Sequence, residues 1–129
     1  MSDLPDDIQR FIAVNITSVA QLEVLLLLRG APDREWTAED VSRTLYAAAG
    51  GMAKQLAELE SKGLVSATQG PEPRFRYRPA GDELHELVGR LANIYQERRV
   101  AVISSIYSES IDQARTFAEA FRVRKDRDP

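Results

Sequence analysis

The chain of 129 residues has no cysteine and one histidine. The first absence excludes disulfides and thiolate chemistry, and the second leaves no set of imidazoles for a zinc finger or a histidine-built metal centre. There is a single tryptophan, Trp36, which makes that residue the candidate for a large buried anchor. Positive charge is not in excess: 17 basic and 20 acidic residues give a net charge of −3, so any surface for nucleic acid has to be local. The basic residues are displaced toward the C-terminal part, because residues 1–50 hold 4 basic and 8 acidic groups whereas 51–129 hold 13 and 12. The longest aliphatic run, Val24 to Leu28, is too short to span a bilayer. Met1 to Arg10 is acidic and lacks the basic and apolar regions of a signal peptide, so a cytoplasmic protein with no membrane partner is expected.

What is present reads as one domain, since 43% hydrophobic and 29% charged residues in a chain of this length supply one core. Ile8, Phe11 and Ile12 recur at helical spacing behind Pro5 and predict an amphipathic helix from about Pro5 to Val14. Ser18 and Gln21 form a capping-box pattern ahead of Val19 to Arg29, which Gly30 and Pro32 terminate. Leu22, Val24, Leu25 and Leu26 make that segment nearly apolar all round, hence a central core helix. Glu35 to Thr37 reads as a very short strand carrying Trp36.

Thr37 and Asp40 have the spacing of a helix start, and Val41 and Leu45 give that helix an apolar stripe. A small-residue turn follows from Tyr46 to Ala49, then a helix over Gly50 to Lys62 with Met52, Leu56 and Leu59 inward and Gly63 as its stop. Two helices joined by a tight turn expose one face of the second, and a helix of that diameter fits the DNA major groove. Leu64 to Gln69 and Arg74 to Arg78 are strand-like runs around the turn Gly70-Pro71-Glu72-Pro73, a hairpin. Strand alternation places Phe75 and Tyr77 on one face and Arg74, Arg76 and Arg78 on the other, a stripe suited to phosphates or to a narrow minor groove.

The run Ala38 to Val65 with the hairpin after it resembles the winged helix-turn-helix domains of bacterial transcriptional regulators, nearest in plan to the MarR-like and PadR-like groups. The residues that carry the resemblance are Glu39, Val41, Leu45, Met52, Lys54, Leu56, Leu59, the closing Glu60-Ser61-Lys62-Gly63-Leu64-Val65, and the wing Arg74-Phe75-Arg76-Tyr77-Arg78-Pro79, about the middle half of the chain. It implies a mainly α fold with a small β-hairpin, sequence-specific binding of double-stranded DNA, and a homodimer. The chain departs from that pattern where such regulators often place a Ser/Thr cap and polar groups at the start of the recognition helix: here stands Ala47-Ala48-Ala49-Gly50-Gly51. The candidate DNA contacts are Ala49, Gly50, Gly51, Lys54, Gln55, Arg74, Arg76 and Arg78, with Glu58 expected to repel phosphate. Two readings stay open: close approach of the backbone with alanine methyls against thymine methyls, or a winged helix kept as a protein adaptor that has lost its DNA contacts.

From Gly81 an apolar stripe runs through Leu84, Leu87, Val88, Leu91, Ile94 and Tyr95 to Ala101, Val102, Ile103 and Ile106. As one helix to about Tyr107 it would extend about 40 Å, longer than one small winged domain needs. Ser110 and Gln113 predict a last helix from Ile111 to about Arg124 with Ala114, Phe117, Ala118 and Phe121 on one side. The expected organisation is therefore a helix plus winged helix-turn-helix over 1–79 and a helical dimerisation region over 80–129 of the same compact domain. Leu84, Leu87, Leu91, Ile94, Val102, Ile106, Phe117 and Phe121 are the expected dimer contacts, with a last helix folded back on a monomer as the alternative. The basic Arg122 to Asp128 segment reads as a solvated helix end, with a disordered tail that touches phosphates as the alternative.

An enzyme is not expected. His85 sits among Asp82, Glu83 and Glu86 without a second histidine or a cysteine, and Gly50-Gly51 lacks the pattern of a nucleotide-binding loop. No catalytic residue, metal or cofactor is assigned, and a small-molecule effector is left open.

Overall fold

The computed structural model describes residues 4–48 and 50–108. It contains α1 (Asp6–Asn15), α2 (Val19–Arg29), α3 (Ala38–Leu45), α4 (Met52–Ser61), β1 (Val65–Ala67), β2 (Phe75–Tyr77) and α5 (Asp82–Glu97). Helical backbone returns over 99–108, here α6. The fold is mainly α with one antiparallel hairpin, as the sequence predicts. No single helix among the described residues is long and apolar enough to cross a membrane.

α2 is the centre of the core, with Leu22, Val24, Leu25 and Leu28 fully buried. It leaves α1 at a bend of 102°. The bend is fixed by Ser18, whose hydroxyl accepts the Gln21 N–H, and by the Gln21 side chain. That side chain does not complete a capping box on Ser18. Its Oε1 instead accepts the Thr17 N–H at 2.9 Å and the Thr17 hydroxyl at 3.1 Å.

α3 begins with a complete capping box. Thr37 Oγ1 accepts the Asp40 N–H at 3.0 Å, and an Asp40 carboxylate oxygen accepts the Thr37 N–H at 3.1 Å. Two donors that a helix start leaves orphaned are thereby paired. The Thr37 N–H bond holds the Asp40 carboxyl below its ordinary value, against the opposing effect of desolvation, with Arg43 and Arg34 adding to the lowering. A carboxyl lowered in the folded state contributes stability above its unfolded pKa of about 3.9, and that contribution is lost as pH falls through the folded value. Thr37→Ala is expected to cost about 1 kcal/mol in urea denaturation at neutral pH. Asp40→Asn should flatten the acid side of the stability profile, and a profile unchanged below pH of about 4 would contradict that role.

α4 ends in a Schellman motif. Leu64 N–H donates to the Leu59 carbonyl at 3.1 Å and Gly63 N–H to that of Glu60 at 3.0 Å. Gly63 takes φ +77, and a Cβ there would stand 3.2 Å from that of Ala80, so glycine suits both the backbone and the space.

The long C-terminal helix expected to run to about Tyr107 is not continuous. Arg98 leaves helical geometry (φ −134, ψ 55), ending α5. Its carbonyl then accepts the Val102 N–H at 3.2 Å, starting α6. The break follows from burial: Val88, Leu91 and Tyr95 of α5 and Val102 and Ile106 of α6 all join the one core, which a straight rod of about 40 Å would not allow. Arg99 fixes the junction, pairing with Glu23 of α2 at 3.3 Å and lying 4.7 Å over the Tyr95 ring. Arg90 pairs with Asp7 and ties α5 to α1.

This corrects part of the expected dimer surface. Leu91, Val102 and Ile106 are buried in their own chain's core, so they are intramolecular contacts. Leu84, Leu87 and Ile94 are half-buried against that core. Phe117 and Phe121, the last helix and the basic segment lie outside the described residues.

Candidate nucleic-acid interface

α4 is held by Met52, Leu56 and Leu59, which are buried, while Ala53, Lys54 and Ala57 face solvent. Its first turn carries no side-chain cap: Gly51 precedes it at φ +88, and nothing lies within 4 Å of a Cβ built at Gly50 or Gly51. Among the described residues the helix start is thus open beside Gly50 and Gly51 and takes no side-chain cap. Ala49 lies outside the described residues.

Two polar residues of α4 do not stand where the sequence reading puts them. Gln55 is half-buried, and its amide oxygen is out of solvent with no partner among the described residues. It is not presented for reading base edges. Glu58, expected to repel phosphate, turns inward, where one carboxylate oxygen accepts from Gln21 Nε2 at 3.3 Å. The Glu58 orientation could not be seen in a linear sequence, because it depends on Gln21 of α2 crossing close to α4.

The hairpin realises the predicted alternation. β1 and β2 pair in the register Val65↔Tyr77, Ser66↔Arg76, Ala67↔Phe75. Phe75 and Tyr77 are buried, Arg74 and Arg78 are exposed, and Arg76 is half-exposed opposite Ser66. Beyond the strands, Thr68 and Arg74 continue the pairing: Thr68 N–H donates to the Arg74 carbonyl and Arg74 N–H to Thr68 Oγ1, both at 2.9 Å. On its other edge β2 meets Trp36, with backbone bonds to Phe75 of 2.8 and 2.7 Å. The wing is therefore clamped between β1 and the segment leading into α3. No carboxylate of a described residue forms an ion pair with Lys54, Arg74, Arg76 or Arg78, so their charge is uncompensated by contact.

No family model matches the chain, and no curated protein does. Solved structures do. The homodimeric winged helix-turn-helix DNA-binding domain Mb0332 of Mycobacterium bovis is 21% identical over 76% of this chain and 93% of that one, with a TM-score of 0.52. MepR, a transcription regulator of the Staphylococcus aureus multidrug efflux pump MepA, is 14% identical over 92% of this chain and 90% of its own, with a TM-score of 0.52. A MepR variant bound to an oligodeoxyribonucleotide is 14% identical over 92% and 89%, with a TM-score of 0.51. The fold is the winged helix-turn-helix.

Within this winged helix, one contact had no signal in the sequence. The Tyr77 hydroxyl lies 2.9 Å from His85 Nδ1, joining the wing to the first turn of α5. Burial pushes the Tyr77 phenol up, offset in part by the nearby Arg29. His85, which reads as a solitary helical histidine, is thus a brace for the wing. Gly89, one turn further along α5, leaves room for the Arg29 guanidinium, which would stand 3.2 Å from a Cβ there.

Proposed function

We propose that this chain is a DNA-binding transcriptional regulator that acts as a homodimer, with α4 in the major groove and the wing on the adjacent backbone or minor groove. The observation that carries this reading is the wing: three arginines without ion-pair partners among the described residues stand on the face opposite Phe75 and Tyr77, on a hairpin clamped to the helix-turn-helix by Trp36. Lys54 adds a further cation on the exposed side of α4. The similar structures support it, one being a homodimeric DNA-binding domain and another a regulator seen with an oligonucleotide. The chemistry is binding rather than catalysis.

The dimer reading rests on apolar surface left outside the core. Val14 of α1 and Val100 and Tyr107 of α6 are 58%, 76% and 62% exposed, and they add to the half-buried Leu84, Leu87 and Ile94. Twofold symmetry sets half-sites about 10 bp, or a multiple of that, apart. The test is fluorescence anisotropy with a pool of random-sequence duplexes across a salt series, alongside light scattering. Binding that weakens steeply and linearly in log salt, by a protein of dimer mass, is expected. No binding at low salt, together with co-purification of a protein partner, would replace this reading with an adaptor.

A further inference from the structure

α3 and α4 end in the same backbone motif with different residues at its critical position. At the end of α3, Ala47 N–H donates to the Ser42 carbonyl at 2.9 Å and Tyr46 N–H to that of Arg43 at 3.4 Å, the bond pattern that closes α4 around Gly63. Tyr46 occupies the left-handed position, φ +54, ψ 39. Among the described residues it is the one non-glycine residue at positive φ; the others are Gly51, Gly63 and Gly70. An aromatic side chain in that region is strained, and glycine is the usual occupant. The ring recovers nothing by packing, since Tyr46 is 97% exposed. Backbone and solvation thus both disfavour tyrosine here, and no described residue supplies a contact that requires it.

Position supplies a use. In a helix-turn-helix the first helix crosses the DNA backbone while the start of the second enters the groove. Tyr46 stands between those two ends, followed by exposed Ala47 and Ala48, whose methyl side chains leave the phenol as the one long group on that stretch. We propose that Tyr46 is a DNA-contacting residue: its hydroxyl donates to a phosphate oxygen at the rim of the groove and its ring packs on the adjoining deoxyribose. This rests on the regulator reading above and adds to it an uncharged anchor where the helix start has no polar side chain.

An uncharged donor releases no counterion, which separates its signature from that of the arginines. The experiment compares the wild-type chain with Tyr46→Phe and Tyr46→Gly, using random-sequence duplexes selected on the wild type. Phe removes only the donor and should weaken binding by about tenfold per protomer, about a hundredfold for the dimer, with the salt slope unchanged, as expected for a lost hydrogen bond to a charged acceptor. Gly should weaken it at least as much while the melting temperature stays level or rises, because the left-handed strain is relieved. If the wild type binds and both variants match it, this inference fails and the regulator reading stands. It fails equally if the variants lose binding together with melting temperature or dimer mass, which would make Tyr46 structural. A wild type that binds no duplex overturns both.

Discussion

If the proposed dimer binds DNA through its wings, replacing Arg74, Arg76 and Arg78 together by alanine is expected to flatten the salt dependence of binding by about 5 in log–log slope, each phosphate contact adding about 0.9. Six such charges account for about a thousandfold loss of affinity between roughly 50 and 200 mM salt, and that part of the dependence disappears in the variant. Low-salt affinity falls by a comparable factor. The substitution is clean because the arginines lie on the solvent side of β2 while Phe75 and Tyr77 hold the strand in the core. Surface changes of this kind alter stability by no more than about 0.5 kcal/mol, so melting should not move. Lysine at the same three positions tells the two wing modes apart. It keeps the charge and the slope but loses the planar guanidinium, so a large loss with lysine points to minor-groove insertion and a small one to simple phosphate contact. Anisotropy across a salt series reads all of this, and unaltered slope and affinity in the alanine variant would remove the wing from the interface.

The parts of this molecule that were legible in its sequence are those whose cause is local. Thr37 with Asp40 announces the start of α3, Gly63 the end of α4, and alternation in Arg74 to Arg78 sorts the wing into an inner and an outer face, because capping, left-handed geometry and strand pleat each need only neighbours in the chain. What escaped depends on tertiary crossing. The turn at Arg98 carries no proline or glycine; it exists because both halves of the apolar stripe bury against one core. Glu58 sits at an outward-looking position in a linear reading and is drawn in by Gln21 of α2, which also donates to the Gln55 backbone carbonyl. The pairing of Tyr77 with His85 likewise needs the wing and α5 to be side by side. Tyr46 is a third kind of case: the sequence shows a tyrosine in a small-residue turn, and only the backbone reveals that it stands where glycine is expected.

Trp36→Ala should be among the most damaging single substitutions in the chain, costing about 3–5 kcal/mol out of a total stability of about 5–15 kcal/mol for a domain. The indole is buried and joins the same core as the helices. The Arg34 guanidinium covers it at 3.7 Å from the ring centre, and its backbone bonds to Phe75 on the edge of β2 away from β1. Removing the ring opens a cavity beneath the wing and loosens the clamp that aims the arginines, so DNA affinity should fall together with stability. Trp36→Phe separates volume from hydrogen bonding. The indole Nε1 is buried with no partner among the described residues, so phenylalanine gives up some packing but removes an unsatisfied donor, and the two effects oppose each other. The expected order in urea denaturation is wild type close to Phe, with Ala far below. Because Trp36 is the chain's one tryptophan, its fluorescence follows unfolding of the wild type directly, and circular dichroism follows the variants. If Ala proved as mild as Phe, the ring would not be holding the wing, and the fixed placement of the arginines would need another cause.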